Sequence, residues 1–186
     1  MVKSAYEYIK ENLDKSLKER LIIWRREGSI VKLEKPTDIA RARILGYKDK
    51  KGIVVFRVRV VRGGHKRTRP KKGRKIKNLT IRKNLKMNYQ WIAETRVERR
   101  YSNLEVLNSY KVGKDGMHYF YEVIMVDPQR AEIKNDPNYS WIVNKQNKGR
   151  SFRGLTSAAK KSRGLRYKSP ELKVRPSLTS RGNRGK

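Results

Sequence analysis

Cysteine is missing from all 186 residues, which excludes disulfide scaffolds, thiol nucleophiles and thiolate metal centres. Histidine occurs only as His65 and His118, too few for a multi-histidine metal site. Acid is scarce: 17 Asp and Glu face 49 Lys and Arg, a formal charge of +32. A compact chain with that surplus repels itself, so its working state includes a strongly anionic partner. No apolar run approaches the roughly 20 residues that span a bilayer, and the opening MVKSAYEYIKEN lacks the apolar segment of a signal peptide. Hydrophobic residues make up 36% and charged ones 35%, enough for one core and little more. The expectation is a soluble, intracellular, polyanion-bound protein with no cofactor, no membrane and no small-molecule substrate.

What is abundant is unevenly placed. Residues 1–49 hold 12 basic and 8 acidic side chains, and 94–144 hold 7 and 8. Residues 50–93 hold 16 basic and no acidic ones, and 145–186 hold 14 basic with Glu171 alone opposing them. Blocks of like charge repel, stay extended when free, and act as interaction arms. The chain therefore reads as one domain over 1–144, interrupted by a basic loop at 62–86, followed by a basic extension over 145–186.

The body has recognisable elements. Ser4 caps a helix to about Glu27 with Glu7 as its capping-box partner, and Tyr6, Ile9, Leu13, Leu17, Leu21 and Trp24 share one face. A short helix opens at Pro36, with Thr37 as cap, Ile39, Ala40 and Ile44 inward, and Gly46 just past its end. IVVFRVRVV over 53–61 is a strand with Arg57 and Arg59 alternating outward. A helix runs from about Asn84 to Arg100. Strands near 104–112 and 118–126 flank the turn Gly113-Lys114-Asp115-Gly116, with Val123, Ile124, Met125 and Val126 in the core. The fold class is α+β, a mostly antiparallel sheet packed with helices.

Twelve of the 25 residues in 62–86 are basic, and glycines and Pro70 break regular structure there. Extended, 25 residues reach about 80 Å, so the loop can project far from the body. Phosphate-backbone binding is the reading its composition favours. Candidate contacts are Arg57, Arg59, Arg62, His65, Lys66, Arg67, Arg69, Lys71, Lys72, Arg74, Lys75, Lys77, Arg82 and Lys83. In the second block they are Arg150, Arg153, Lys160, Lys161, Arg163, Arg166 and Lys168. Thr156 caps a short helix there that Gly164 ends, grouping Lys160, Lys161 and Arg163; compensation of the helix dipole explains the same placement. Among aromatics interleaved with the charge (Tyr47, Trp91, Tyr101, Phe152, Tyr167), Phe152 and Tyr167 lie outside any core and suit base stacking, whereas Trp91 has core spacing.

Catalysis has little support. Glu122, Asp127, Glu132 and Asp136 are close in sequence, but two-metal chemistry also needs a pocket and a general base. Gly63-Gly64 with Lys66 lacks phosphate-loop spacing.

Four stretches in order, PTDIARARILGYKDKKGIVVFRVRVVRGGHKRTRPKKGRK, NLEVLNSYKVGKDGMHYFYEVIMVDP, WIVN and RGLTSAAKKSRGLR, resemble the fifteenth large-subunit ribosomal protein of archaeal and eukaryotic type, which is unrelated to its bacterial namesake. The short C-terminal tail favours the archaeal variant. The resemblance implies a non-enzymatic constituent of the large subunit in the cytoplasmic ribosome, partnered by large-subunit rRNA and neighbouring ribosomal proteins. It implies that the loop from Arg62 to Lys83 and the segment from Arg153 to Leu165 meet rRNA. The alternative is a free-standing RNA or polyanion binder without sequence specificity. A free module should carry its charge on a folded surface, whereas here near-neutral parts alternate with basic arms.

Overall fold

Ser4 opens the first helix as its spacing to Glu7 predicts. Its Oγ accepts the Glu7 N–H at 3.3 Å, while the Glu7 carboxylate accepts the Ser4 N–H at 2.8 Å. The helix, α1, spans Ala5–Arg26. Leu13, Leu21 and Trp24 on the predicted stripe are buried, but Tyr6 and Ile9 are exposed because the helix begins beyond the body that its last turns cover. The computed structural model describes residues 3–64, 68–70, 72, 73, 75 and 85–166.

The further elements are β1 (Ile30–Leu33), α2 (Ile39–Ile44), β2 (Ile53–Val61), α3 (Tyr89–Arg100), β3 (Glu105–Lys114), β4 (His118–Val126), α4 (Ala131–Lys134) and α5 (Ser157–Ser162), with 3-10 turns at Ser140–Val143 and Lys145–Asn147. The four strands form one antiparallel sheet in the order β1-β2-β4-β3. In its centre Phe56 pairs with Val123 and Arg57 with Glu122. The α+β class is as the sequence implies.

Both faces of the sheet are covered. Successive strand residues point to opposite sides, so Phe56, Val58, Val60, Val123 and Met125 pack on Ala93 and Val97 of α3. Val55 and Ile124 pack with Ala42 of α2 and Tyr47 on the other side, and Phe120 with Leu21 and Trp24 of α1. Val126 joins Ile133, Tyr139 and Ile142 at the end of that second face.

Two-sided cover corrects the expectation that Arg57 faces outward. It is buried, pairs with Glu27, and its guanidinium lies 4.6 Å from the centre of the Trp24 ring. Other differences are local. Asp38, not Thr37, caps α2 by accepting the Arg41 N–H at 2.8 Å, and Ile44 is exposed. Helix α3 starts at Tyr89 because the Asn88 side chain caps it, accepting the Trp91 N–H at 2.8 Å. Strand β3 runs two residues further than expected, through Lys114. The turn is set by the Asp115 carboxylate, which accepts the N–H groups of Met117 and His118. Strand β1 was not anticipated.

Candidate nucleic-acid interface

The basic loop is rooted at both ends on the start of α3. At its entry, Arg62 donates from Nη1 to the Asp115 carbonyl at 2.7 Å, and its guanidinium sits 5.1 Å from the Tyr119 ring centre. The next residue, Gly63, has φ +95°, a conformation that glycine adopts without strain. Its N–H donates to the Tyr89 hydroxyl at 2.9 Å, and that hydroxyl donates back to the Gly63 carbonyl at 3.2 Å. At its exit, the Ser162 hydroxyl donates to the Lys86 carbonyl at 3.1 Å and accepts the Asn88 N–H at 3.1 Å. The Asn88 side-chain amide donates to the Ala158 carbonyl at 2.9 Å. Residues 63, 86–89 and 158–162 thus meet, and the two basic stretches, far apart in sequence, share one junction.

The second stretch, as far as Arg166, is folded onto the body, and acids hold it there. Glu94 and Glu98, one helical turn apart on α3, are buried together with Glu105 at the start of β3. Glu94 accepts the Thr156 hydroxyl at 2.5 Å and also that of Ser109. Glu98 accepts the Ser151 N–H at 3.1 Å and the Ser151 hydroxyl. Glu105 accepts the Gly149 N–H at 2.9 Å. Thr156 then caps α5, accepting the Ala159 N–H at 3.3 Å. Burial pushes the Glu94 carboxyl upward against the pull of the Ser109 and Thr156 hydroxyls. Burial, and then its hydrogen bond and repulsion with Glu98, push Glu105 up to about 7. Neutral carboxyls are what a water-poor site favours.

Gly154 completes the fit. Its φ is +70°, and an added Cβ would lie 2.8 Å from Arg163 Cδ and 3.3 Å from Trp91 Cζ2. Arg163 passes over it, donating from Nη1 to the carbonyls of Gly154 at 2.7 Å and Arg153 at 3.2 Å.

The candidate cations therefore divide. Arg62, Arg69, Lys72, Lys75, Arg153, Lys160, Lys161 and Arg166 are exposed, as is Phe152. Arg59 and Arg150 are half-buried, and Arg57 and Arg163 are buried. Arg59 donates to the Arg25 carbonyl; Arg150 donates from Nη1 to the carbonyls of Val106 at 2.8 Å and Leu107 at 3.3 Å. His65, Lys66, Arg67, Lys71, Arg74, Lys77, Arg82, Lys83, Tyr167 and Lys168 lie outside the described residues.

The carboxylates that suggested metal chemistry are engaged otherwise. Glu122 accepts the Thr37 N–H at 3.1 and 3.2 Å and the Tyr110 hydroxyl. Asp136 pairs with Lys50 at 2.9 Å, and Asp127 with Arg130 at 3.5 Å. The Lys50 ammonium and the Asn138 N–H hold Asp136 at about 2. Among the described residues, no three acidic or histidine side chains group to hold a metal, and no described helix is long and apolar enough to cross a membrane. Sequence reasoning missed Glu94, Glu98 and Glu105, which fall in a near-neutral stretch, and Ser151, which falls in the basic extension. The one available signal was that Glu94 and Glu98 alternate with Ala93 and Val97 on an otherwise apolar helix face.

Inward acids thus fasten one basic stretch beside the root of another, and the chain is a basic protein with its charge in two stretches. The family model for Ribosomal L15, the archaeal and eukaryotic type, matches residues 1–181, and the chain belongs to that family. It is accordingly a structural protein of the large subunit of the cytoplasmic ribosome, which carries out translation.

Proposed function

We propose that the chain binds and stabilises large-subunit rRNA through the cations of its two basic stretches, with neighbouring ribosomal proteins as further partners and no catalytic step of its own. The observation that carries this reading is the shared junction at 63, 86–89 and 158–162, which brings both stretches to one end of α3. The inward turn of Glu94, Glu98 and Glu105 supports it, because it removes negative charge from the side where Lys160, Lys161 and Arg166 are exposed. Exposed cations bind phosphate by releasing counterions, which gives steep salt dependence and little sequence preference.

Sucrose-gradient sedimentation of a cell lysate tests the assignment. Co-migration with the large subunit through a high-salt wash is expected. Release to the top of the gradient would instead mark a free-standing polyanion binder. In solution, about ten engaged phosphates would make log K fall by roughly 7–9 units per decade of salt, and a flat titration would refute phosphate binding.

A further inference from the structure

Most aromatic side chains near the basic stretches are spoken for. Tyr47 is buried, Tyr101 stacks on Phe56 with ring centres 4.4 Å apart, and the Trp91 indole N–H donates to the Ser151 carbonyl at 2.6 Å. Trp141 differs. It is 38% exposed, whereas Trp24 is 5% exposed, and the Arg150 guanidinium lies 4.7 Å from its ring centre. That guanidinium is held by the Val106 and Leu107 carbonyls. The Trp141 N–H is satisfied within its own turn, donating to the Asn138 carbonyl at 2.9 Å. The Asn147 side-chain amide donates to the Trp141 carbonyl, joining the turn that bears Trp141 to the next. Lys145 and Lys148, in and just after that next turn, are exposed.

The ring thus has no free donor and has a cation beside it while remaining partly open to solvent. Its chain neighbours argue against a protein partner. Ile142 is 1% exposed, and Ser140, Asn144 and Lys145 are polar or charged, so Trp141 is a single ring in cationic surroundings and not part of an apolar patch. A nucleobase needs only one such ring, because every base has a π-face, and phosphates on either side of it suit lysines.

We propose that Trp141 is a stacking platform for one unpaired RNA base, with Arg150 as the positioning residue behind it and Lys145 and Lys148 beside the flanking phosphates. This rests on the rRNA-binding reading and adds to it a place where unpaired RNA is preferred over duplex. The test compares full-length wild type, Trp141→Leu and Trp141→Phe on two probes, a short oligo(A) strand and a fully paired RNA duplex of equal length. Trp141→Leu should weaken oligo(A) binding on the order of tenfold and leave duplex binding and its salt slope unchanged, and Trp141→Phe should retain most of the oligo(A) affinity. Oligo(A) should also quench the indole emission of wild type and lose that effect on Trp141→Phe, a readout that does not depend on the Leu variant folding. Equal binding by Trp141→Leu and wild type overturns the platform, as does an equal loss on both probes or undiminished quenching in Trp141→Phe. Failure of wild type to bind either probe would overturn the rRNA-binding reading itself and the platform with it.

Discussion

The two faces of the sheet are built alike and used differently. Each buries acid among apolar side chains, where an unpaired charge would be costly. On the α1–α2 face Glu122 ties the Thr37 backbone and the Tyr110 hydroxyl across from Arg57, so it stitches together parts of the body. On the α3 face Glu94, Glu98 and Glu105 take donors from Thr156, Ser151 and Gly149, with Ser109 of β3 as a second donor to Glu94. The same chemistry there holds a basic segment in place. What a buried carboxylate does is decided by where its donors come from, not by its own burial.

The comparison can be broken or sharpened by substitution. The largest effects should be the same on both faces. Ile124→Ala, toward α2, and Met125→Ala, toward α3, should each cost about 2–5 kcal/mol in chemical denaturation, without changing RNA affinity while folded. A much smaller loss for either would mean that its face is not a true core.

Removing one acid from each face should separate them. Glu98→Ala leaves the Ser151 N–H and hydroxyl without their acceptor, a cost of about 1–3 kcal/mol. Faster hydrogen exchange over 150–163 with β4 still protected is the expected pattern. Glu122→Ala should loosen the Thr37 region and leave 150–163 protected. If both variants loosen the same residues, the faces are not independent.

Titration gives a gentler probe. Glu105 is raised to about 7, so the native state holds a proton that the unfolded chain has already released above the ordinary Glu value near 4.3. Its contribution is therefore fully present at low pH and is lost as pH rises through about 7. Thermal stability should fall across that window, by no more than about 1.4 kcal/mol per pH unit from this group, and Glu105→Gln should flatten the fall. A melting temperature that rises across the same range would contradict the buried neutral carboxyl.

The smallest stability effect belongs to the exposed cations. Replacing Lys160, Lys161 and Arg166 together with Ser should change stability by about 0.5 kcal/mol or less per site. RNA binding should lose about 0.7–0.9 units of salt slope for each lost phosphate contact. Unfolding with unchanged RNA affinity would show that these cations are structural.

Much of this was legible from the residues, and the failures have physical causes. The capping box of α1, strand 53–61 and the hairpin around Asp115 are local signals, carried by neighbours in sequence. Strand β1 is only four residues long with Lys32 inside it, too short for an alternation to register; it exists because β2 offers it an edge. Arg57 was misread because alternation along a strand identifies two sides but not which of them is covered. Here Trp24 makes the second side an interior. The exposed part of the candidate interface was legible as charge, whereas the acids beneath it were not. Glu94, Glu98 and Glu105 look like surface until residues 149–156 are laid over them, and a contact across more than 40 positions leaves no local pattern.

That covering has a consequence in time. A chain is made from its amino terminus and its segments fold as they appear, so α3 and the whole sheet exist before residues 149–163 are available. Until then Glu98 and Glu105 lack the donors of Ser151 and Gly149, and Glu94 has Ser109 but not Thr156. A half-made chain therefore carries three carboxyls along α3 and the start of β3 that residues 149–156 cover in the finished chain. Closure of this side of α3 therefore waits for the chain to be made through residue 156.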